Sequence, residues 1–186
     1  MNLFPDIGFR LLNGWIYFAF YMIVFIITMS TCSKDVRKRL YDRSSWDRKT
    51  KRITALGKTF SFVNIIMILF GALQIGNIEF FIGNLVYLIG LSLLVISILN
   101  YRNAPSGKPI INGLYKISRN PQMISLYILF TGMILTIGSW INLNFLFVSI
   151  ICSHFSILGE EKALIEQYGE SYINYNSQVP RYFIFF

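Results

Sequence analysis

Two polar clusters interrupt an otherwise apolar chain, and their residue types are suited to chemistry. The first is the segment 113–123, GLYKISRNPQM, which lies between two apolar runs, and the second is the pair Glu160 and Glu161. Charged and hydrogen-bonding groups at the edge of a membrane are costly to keep, and they commonly mark a functional site. We therefore expect the two clusters to form one site.

The helix that begins in the first cluster is suited to binding an anion. Pro121 fits the first helical turn because its missing N–H would be unpaired there anyway, and this leaves Asn120 near the N-cap. A helix N-terminus presents free N–H groups and a partial positive charge. The pattern predicts a site for a carboxylate, with the glutamate pair opposite holding hydroxyl groups or an ammonium group.

Three ionisable residues are candidates for a catalytic role. His154 lies seven residues before Glu161, on the same helical face, where either side chain could accept a proton. Arg119 is the third, because it lies within the first polar cluster. Each has a structural alternative: a packed histidine, a solvated helix start and a charge that sets membrane topology.

The composition predicts an integral membrane protein. The chain of 186 residues is 54% hydrophobic and 14% charged, whereas soluble domains carry about 25% charged residues. The net charge of +8 comes from basic residues that cluster between apolar runs, so we expect membrane lipids rather than a nucleic acid as the partner. Cys32 and Cys152 lack the spacing of a metal site, so we predict no metal and no disulfide.

Five apolar segments are long enough to cross a bilayer that can thin locally. The last two are joined so closely around Trp140 that they should form a helical hairpin, which would bring the two polar clusters together. The predicted fold is an all-α, polytopic helix bundle, a single membrane domain over residues 1–186 with three spans in residues 1–99. The predicted spans are Leu11–Thr31, Thr59–Ile75, Ile78–Leu99, Gln122–Ser139 and Ile141–Leu158.

The charges of the connecting segments predict the topology. Residues 34–58 hold ten Lys or Arg against three Asp, and residues 102–119 hold four basic residues and no acid. The positive-inside rule places both segments and the C-terminus in the cytoplasm and the N-terminus outside. A retained first span without a transit peptide suits a prokaryotic plasma membrane.

The polar end of the chain is expected to lie at the cytoplasmic surface. The pattern EEKALIEQY predicts a short helix over residues 160–168 that continues the fifth span, with Gly169 as its C-cap. The ending VPRYFIFF suits an interfacial segment.

Several other residues are predicted to have structural roles. Gly132 and Gly138 should allow close approach of helices. Tyr172 and Tyr175 should pack the tail helix against the membrane face. The cluster at residues 37–39 should anchor the chain to lipid headgroups.

The second half of the chain carries an ordered set of motif residues between about 100 and 183. They are Gly113, Tyr115, Arg119, Asn120, Pro121 and Met123, followed by Glu160, Glu161, Leu164, Tyr168, Gly169, Tyr172, Tyr175, Val179, Pro180 and Arg181. Their order and spacing resemble the integral-membrane methyltransferase family that includes isoprenylcysteine carboxyl methyltransferases and phosphatidylethanolamine N-methyltransferases. That family's pattern is similar to G-x-Y-x-x-x-R-H-P-x-Y, followed after a hairpin by E-E-x-x-L, F-G, Y-x-x-Y and V-P-R.

The resemblance implies an activity and a cofactor. It implies that the protein transfers a methyl group from S-adenosyl-L-methionine, on the cytoplasmic side, to a lipophilic acceptor that arrives from the bilayer. Residues 100–186 would then be the cofactor-binding half. Carried over by position, the residues lining the cofactor pocket would be Asn100, Lys108, Pro109, Ile110, Tyr115, Asn120, Pro121, Gln122, Met123 and Glu160.

Three departures from the family pattern bear on mechanism and substrate. Asn120 stands where the motif has His, and an amide cannot titrate near neutral pH. Met123 stands where the motif has Tyr and lacks its hydroxyl group. Ser156 stands where carboxyl-methylating members have an Arg, which favours a lipid, amine or thiol acceptor over a prenylated carboxylate. The alternative to an enzyme is a non-catalytic family member with a structural or transport role.

Overall fold

About three quarters of the residues described by the computed structural model are helical, and the model describes residues 1–41, 43–44, 46–102 and 109–183. A 3₁₀ turn at Gly113–Lys116 precedes the fifth of seven α-helices. The predicted all-α fold is therefore confirmed. The helices are α1 (Trp15–Ser30), α2 (Lys34–Tyr41), α3 (Arg48–Phe70), α4 (Ile78–Arg102), α5 (Pro121–Ile137), α6 (Trp140–Tyr168) and α7 (Glu170–Gln178).

Five of these helices are apolar, in agreement with the predicted spans. α3, α4 and α6 are long and apolar enough to cross a membrane, and α1 and α5 are shorter apolar helices of 16 and 17 residues. A bilayer accommodates a short span by thinning around it. The protein is thus an integral membrane protein.

α3 and α6 extend furthest beyond their predicted spans, α3 at its start and α6 at its end. α3 begins at Arg48 because the Asp47 side chain caps its N-terminus and accepts a hydrogen bond from the Thr50 amide at 2.6 Å. α6 continues past the fifth span to Tyr168 and ends at Gly169, which has a φ of 57°. The predicted helical extension and its glycine cap are confirmed.

α4 and α5 run antiparallel and touch along a seam of glycines. A side chain at Gly90 would collide with the Leu129 backbone, and one at Gly132 would collide with the Tyr87 backbone. Small residues let helix backbones approach closely in a membrane, where van der Waals packing drives association. The predicted packing role of Gly132 is confirmed.

α3 and α6 form a second antiparallel pair that is fastened by polar side chains. The buried amides of Asn64 and Asn142 bond each other at 2.6 Å, and Asn64 also donates to the Asn142 carbonyl. Near the other end of the pair, the Thr54 and Ser156 hydroxyl groups lie 2.7 Å apart. Such pairs satisfy groups that hydrocarbon would leave unpaired.

The predicted tight turn joins α5 to α6, although each helix packs most extensively against a different partner, α4 and α3 respectively. Gly138 ends α5 in the left-handed conformation, with φ at 63°, and Ser139 caps α6. The N-terminal segment lies on this turn, since the Asn2 amide donates to the Gly138 carbonyl at 2.7 Å. This end of the bundle is therefore closed by residues 1–13.

Candidate active site

A cavity of about 530 Å³ lies toward the end of the bundle that is opposite the N-terminal segment. Its walls come from α1, α2 and the loop after it, α4, the segment before α5, and the ends of α5, α6 and α7. The volume falls within the roughly 300–1,000 Å³ typical of ligand pockets. Both halves of the chain therefore build one site.

Most of the predicted site residues line this cavity. The two polar clusters meet there as the hairpin predicted, because α5 begins and α6 passes residue 160 at the same end of the bundle. The role of each side chain in binding stays a prediction. The predicted residues that line the cavity are Pro109, Ile110, Tyr115, Arg119, Asn120, Pro121, Gln122, Met123 and Glu160.

Four predicted residues have other positions. The Asn100 side chain accepts a hydrogen bond from the Leu114 amide at 2.9 Å and thereby holds the 3₁₀ turn against α4. His154 lies away from the described cavity wall, with its Nδ1 atom 3.1 Å from the Tyr182 hydroxyl. Glu161 lies beneath the wall, and Lys108 falls outside the described residues.

Glu161 is the centre of a buried cluster of ionic groups. Arg119 Nη2 lies 3.1 Å from one carboxylate oxygen, and Arg181 Nη2 lies 2.8 Å from the other. The Glu161 and Arg119 residues are 6% and 7% exposed. Because guanidinium groups engage both oxygens, Glu161 holds α6, the start of α5 and the C-terminal tail together.

The tail is also fastened to the first polar cluster through backbone groups. The Arg119 amide donates to the Pro180 carbonyl at 3.0 Å, and the Ser118 hydroxyl and the Asn120 amide side chain donate to the Arg181 carbonyl. Asn120 thus uses its side chain for a structural hydrogen bond.

Several polar groups in the cavity wall have spare capacity for a ligand. Glu160 forms no ion pair with any residue that the structure describes. The buried Nε2 of Gln122 lies near the Tyr115 hydroxyl, but their geometry does not make a hydrogen bond. The buried Nε of Arg43 also lacks an acceptor. Unmet groups of this kind are expected where a ligand supplies the partner.

Tyrosine rings form much of the remaining wall. Tyr172 and Tyr175 are 4% and 8% exposed, and the Tyr175 hydroxyl donates to the Tyr115 carbonyl at 2.7 Å. Burial raises the pKa of Tyr115, Tyr172 and Tyr175 above the ordinary value of 10.0. These hydroxyl groups are therefore neutral at physiological pH. The two tail tyrosines line the cavity, and their predicted packing against the membrane face stays a prediction.

Sequence reasoning missed the contribution of the first half of the chain. Arg39, predicted to be a lipid anchor, lines the cavity with its guanidinium carbon 5.5 Å from the centre of the Tyr101 ring. Arg43 and Trp46 line it from the loop between α2 and α3. The only sequence signal was an aromatic residue among basic ones, which is equally typical of a lipid anchor.

The position of Ser156 bears on one inference about the substrate. Its side chain is 7% exposed and bonds Thr54 on α3, away from the described cavity wall. The Ser156 side chain therefore lies outside the described lining of the cavity, and its bearing on the substrate stays a prediction. Three cations line the cavity, and none of them lies on α6: they are Arg39, Arg43 and Arg119.

The arrangement is suited to binding a small charged molecule beside an apolar chain. The polar wall provides one open carboxylate, unpaired N–H donors and the N-terminus of α5, while Tyr21, Phe25 and Leu126 form an apolar wall between α1 and α5.

No curated protein matches the chain significantly. A sequence model of the phospholipid methyltransferase family matches residues 53–171, which run from α3 into α7. Because this match covers more than half of the chain, the protein belongs to the phospholipid methyltransferase family.

Proposed function

We propose that the protein uses S-adenosyl-L-methionine to methylate a lipid whose headgroup enters the cavity. Family membership places the protein among membrane methyltransferases that act on lipids. The observation that carries the finer proposal is a single cavity with a polar end and an apolar side between membrane helices. Cofactor and lipid would therefore meet inside the protein.

The polar wall fits the proposed cofactor. The carboxylate of the amino-acid part would lie at the N-terminus of α5, where free N–H groups and Gln122 are available as donors. Glu160 would hold the ammonium group or the ribose hydroxyl groups. Tyr115 and Ile110 offer ring and aliphatic surface for the adenine. The sulfonium group supplies an activated methyl group that a nucleophile attacks directly.

The apolar wall supports a lipid as the acceptor. Met22 and Phe25 on α1 are half-buried and lie between the cavity and the membrane, and Leu94 and Leu126 continue the surface on α4 and α5. An acyl chain placed along these side chains would bring the headgroup to the polar end. Packing of both ligands then excludes water and fixes their orientation, which are the main contributions a protein makes to such a transfer.

An amine or thiol acceptor must also lose a proton. The positions of Glu161 and His154 favour other roles, since arginines engage the first and Tyr182 bonds the second. Of the carboxylates in the described residues, Glu160 is the one that lines the cavity. We therefore assign the removal of the proton to Glu160 or to a water molecule that it orients.

The proposed orientation places this site in the cytoplasm. The cavity lies at the end of the bundle where α2 and the start of α3 carry clustered Lys and Arg residues. The N-terminal segment and the α5–α6 turn lie at the other end and carry few charges. The positive-inside rule favours the basic end as cytoplasmic, which is also where a soluble cofactor is available.

Calorimetry with S-adenosyl-L-methionine on the detergent-purified protein tests the proposal. We expect saturable binding by the wild type and an affinity about tenfold weaker or more for Glu160→Gln, since a charge-assisted hydrogen bond is lost. Glu166→Gln is the matched control, because Glu166 is exposed on the same helix. A folded wild type that binds none of the cofactor would refute the proposal and leave the non-catalytic alternative.

A further inference from the structure

An arginine outside the matched family region lies in the cavity wall and forms no ion pair within the described part of the chain. Arg43 follows α2, and its guanidinium carbon is 5.1 Å from the centre of the Trp46 ring. Its Nε is buried and has no acceptor, and the side chain forms no ion pair with the described residues. The Arg43 residue is half-buried, and a shielded Nε without an acceptor costs free energy unless a ligand supplies the partner.

The local structure holds Arg43 in place. The Trp46 amide donates to the Arg43 carbonyl at 3.3 Å, and the Trp46 residue is 8% exposed. Immediately after it, Asp47 caps α3. A guanidinium group that stacks on an indole ring keeps its N–H donors free at the edge, and this planar edge fits the oxygens of a phosphate.

Charge in the cavity favours an anion that is separate from the cofactor. Arg43 interacts electrostatically with Glu160, although the two side chains do not form an ion pair. If the α5 N-terminus takes the carboxylate of the cofactor, Arg43 is left for the second ligand. We propose that Arg43, supported by Trp46, binds the phosphate of the acceptor headgroup and determines the specificity for phosphate-bearing lipids. This inference rests on the proposed function.

A carboxylate acceptor fits this position less well. A guanidinium fork would accept one lone pair from each oxygen of a carboxylate and lower the nucleophilicity of the oxygen that must attack the methyl group. A phosphate is not the methylated group of an aminophospholipid. Arg43 can therefore hold the phosphate firmly while the amine stays free near Glu160.

Binding measurements on four probes separate the sources of the anion. We would titrate the full chain in detergent with dihexanoylphosphatidylethanolamine, with dihexanoylglycerol, with S-farnesylcysteine and with inorganic phosphate. For Arg43→Gln we expect an affinity for the phospholipid about tenfold weaker or more and an unchanged affinity for the diacylglycerol, because only the first carries phosphate. Arg43→Lys should lose less affinity for the phospholipid, because lysine keeps the positive charge but lacks the planar guanidinium group.

A control variant and the pattern of affinities distinguish phosphate binding by Arg43 from the proposed methyl transfer. Arg52→Gln removes an exposed arginine from α3 and should leave every affinity unchanged. The inference is overturned if Arg43→Gln binds the phospholipid as tightly as the wild type does, or if the variant loses affinity only for S-farnesylcysteine. It is also overturned if inorganic phosphate alone binds the wild type as tightly as the phospholipid does. Weaker binding of S-adenosyl-L-methionine by Arg43→Gln, with the phospholipid unaffected, would instead assign Arg43 to the cofactor. Each of these results stands whether or not the wild type transfers methyl groups.

Discussion

Glu161 has a different environment from Glu160, its neighbour in sequence. Its two oxygens are engaged by Arg119 and Arg181, and the cluster is largely buried. Removing one member of a buried ion pair costs about 3–5 kcal/mol, since a charge is left unpaired. We predict that Glu161→Ala loses about 3 kcal/mol or more of unfolding free energy, measured by denaturant titration in mixed micelles.

Two comparisons test this prediction. Glu166→Ala removes an exposed carboxylate from the same helix and should change stability by less than about 0.5 kcal/mol. The double variant Glu161→Ala with Arg119→Ala should lose less than the sum of the two single changes, because the second change removes an unpaired charge. A loss below about 1 kcal/mol for Glu161→Ala would contradict the structural role of this cluster.

Sequence reasoning identified residues of the cavity more accurately than it identified their roles. The motif around Asn120 and Pro121 and the glutamate pair pointed to the right region because their spacing follows the helices. From the sequence, Glu161 is a candidate proton acceptor, because the neighbouring residues do not predict that Arg181, 20 residues away, bonds its carboxylate. Arg43 was missed because its partners in the wall come from distant segments.

The pairing of helices depends on a few small residues. Gly90 on α4 lies so close to α5 that a Cβ atom there would be 2.6 Å from the Leu129 Cα atom. Backbone cannot move aside as a flexible side chain can, so a large residue should force the two helices apart. We predict that Gly90→Leu costs about 3 kcal/mol, at the upper end of the range for overpacking.

The matched change lies on the lipid side of the same helix. Ser92 is exposed, so Ser92→Leu adds similar bulk without a collision and should keep wild-type stability. Thermal unfolding in detergent, with circular dichroism as the readout, would compare the two variants. Equal melting temperatures for both would show that the close approach at Gly90 is not needed for the fold.

At the level of elements, the five apolar helices and the tail helix were predictable, but their packing was not. Hydropathy over windows of this length identifies spans because the hydrocarbon core demands about 20 apolar residues. Hydropathy does not reveal that α5 prefers α4, or that α3 prefers α6. Those preferences come from Gly132 and from the pair Asn64 and Asn142. The contribution of each residue can be recognised only when the residue that faces it is known.

The cavity is a property of the whole molecule, because no single segment encloses it. α1 and the loop before α3 supply one side, and the tail closes the other through Tyr172 and Tyr175. The matched family region ends at residue 171, before both tyrosines. Part of the cavity wall, including the loop that carries Arg43, therefore lies outside the matched region.

Alkaline pH should weaken the whole fold through the buried tyrosines. Burial raises the pKa of Tyr115, Tyr172 and Tyr175 in the folded protein above the ordinary value of 10.0. As the pH rises past about 10, the unfolded chain releases these protons first and binds fewer than the native state, so unfolding becomes more favourable. Their stabilising contribution is complete below this pH and is lost as the pH approaches the raised values. The unfolding free energy of the wild type should fall as the pH is raised from 8 to 11. The unfolding free energy of Tyr172→Phe should fall less steeply, because phenylalanine has no proton to lose. Equal slopes for the two proteins would show that Tyr172 is not shielded in the folded state, and that the tail does not close the cavity in solution.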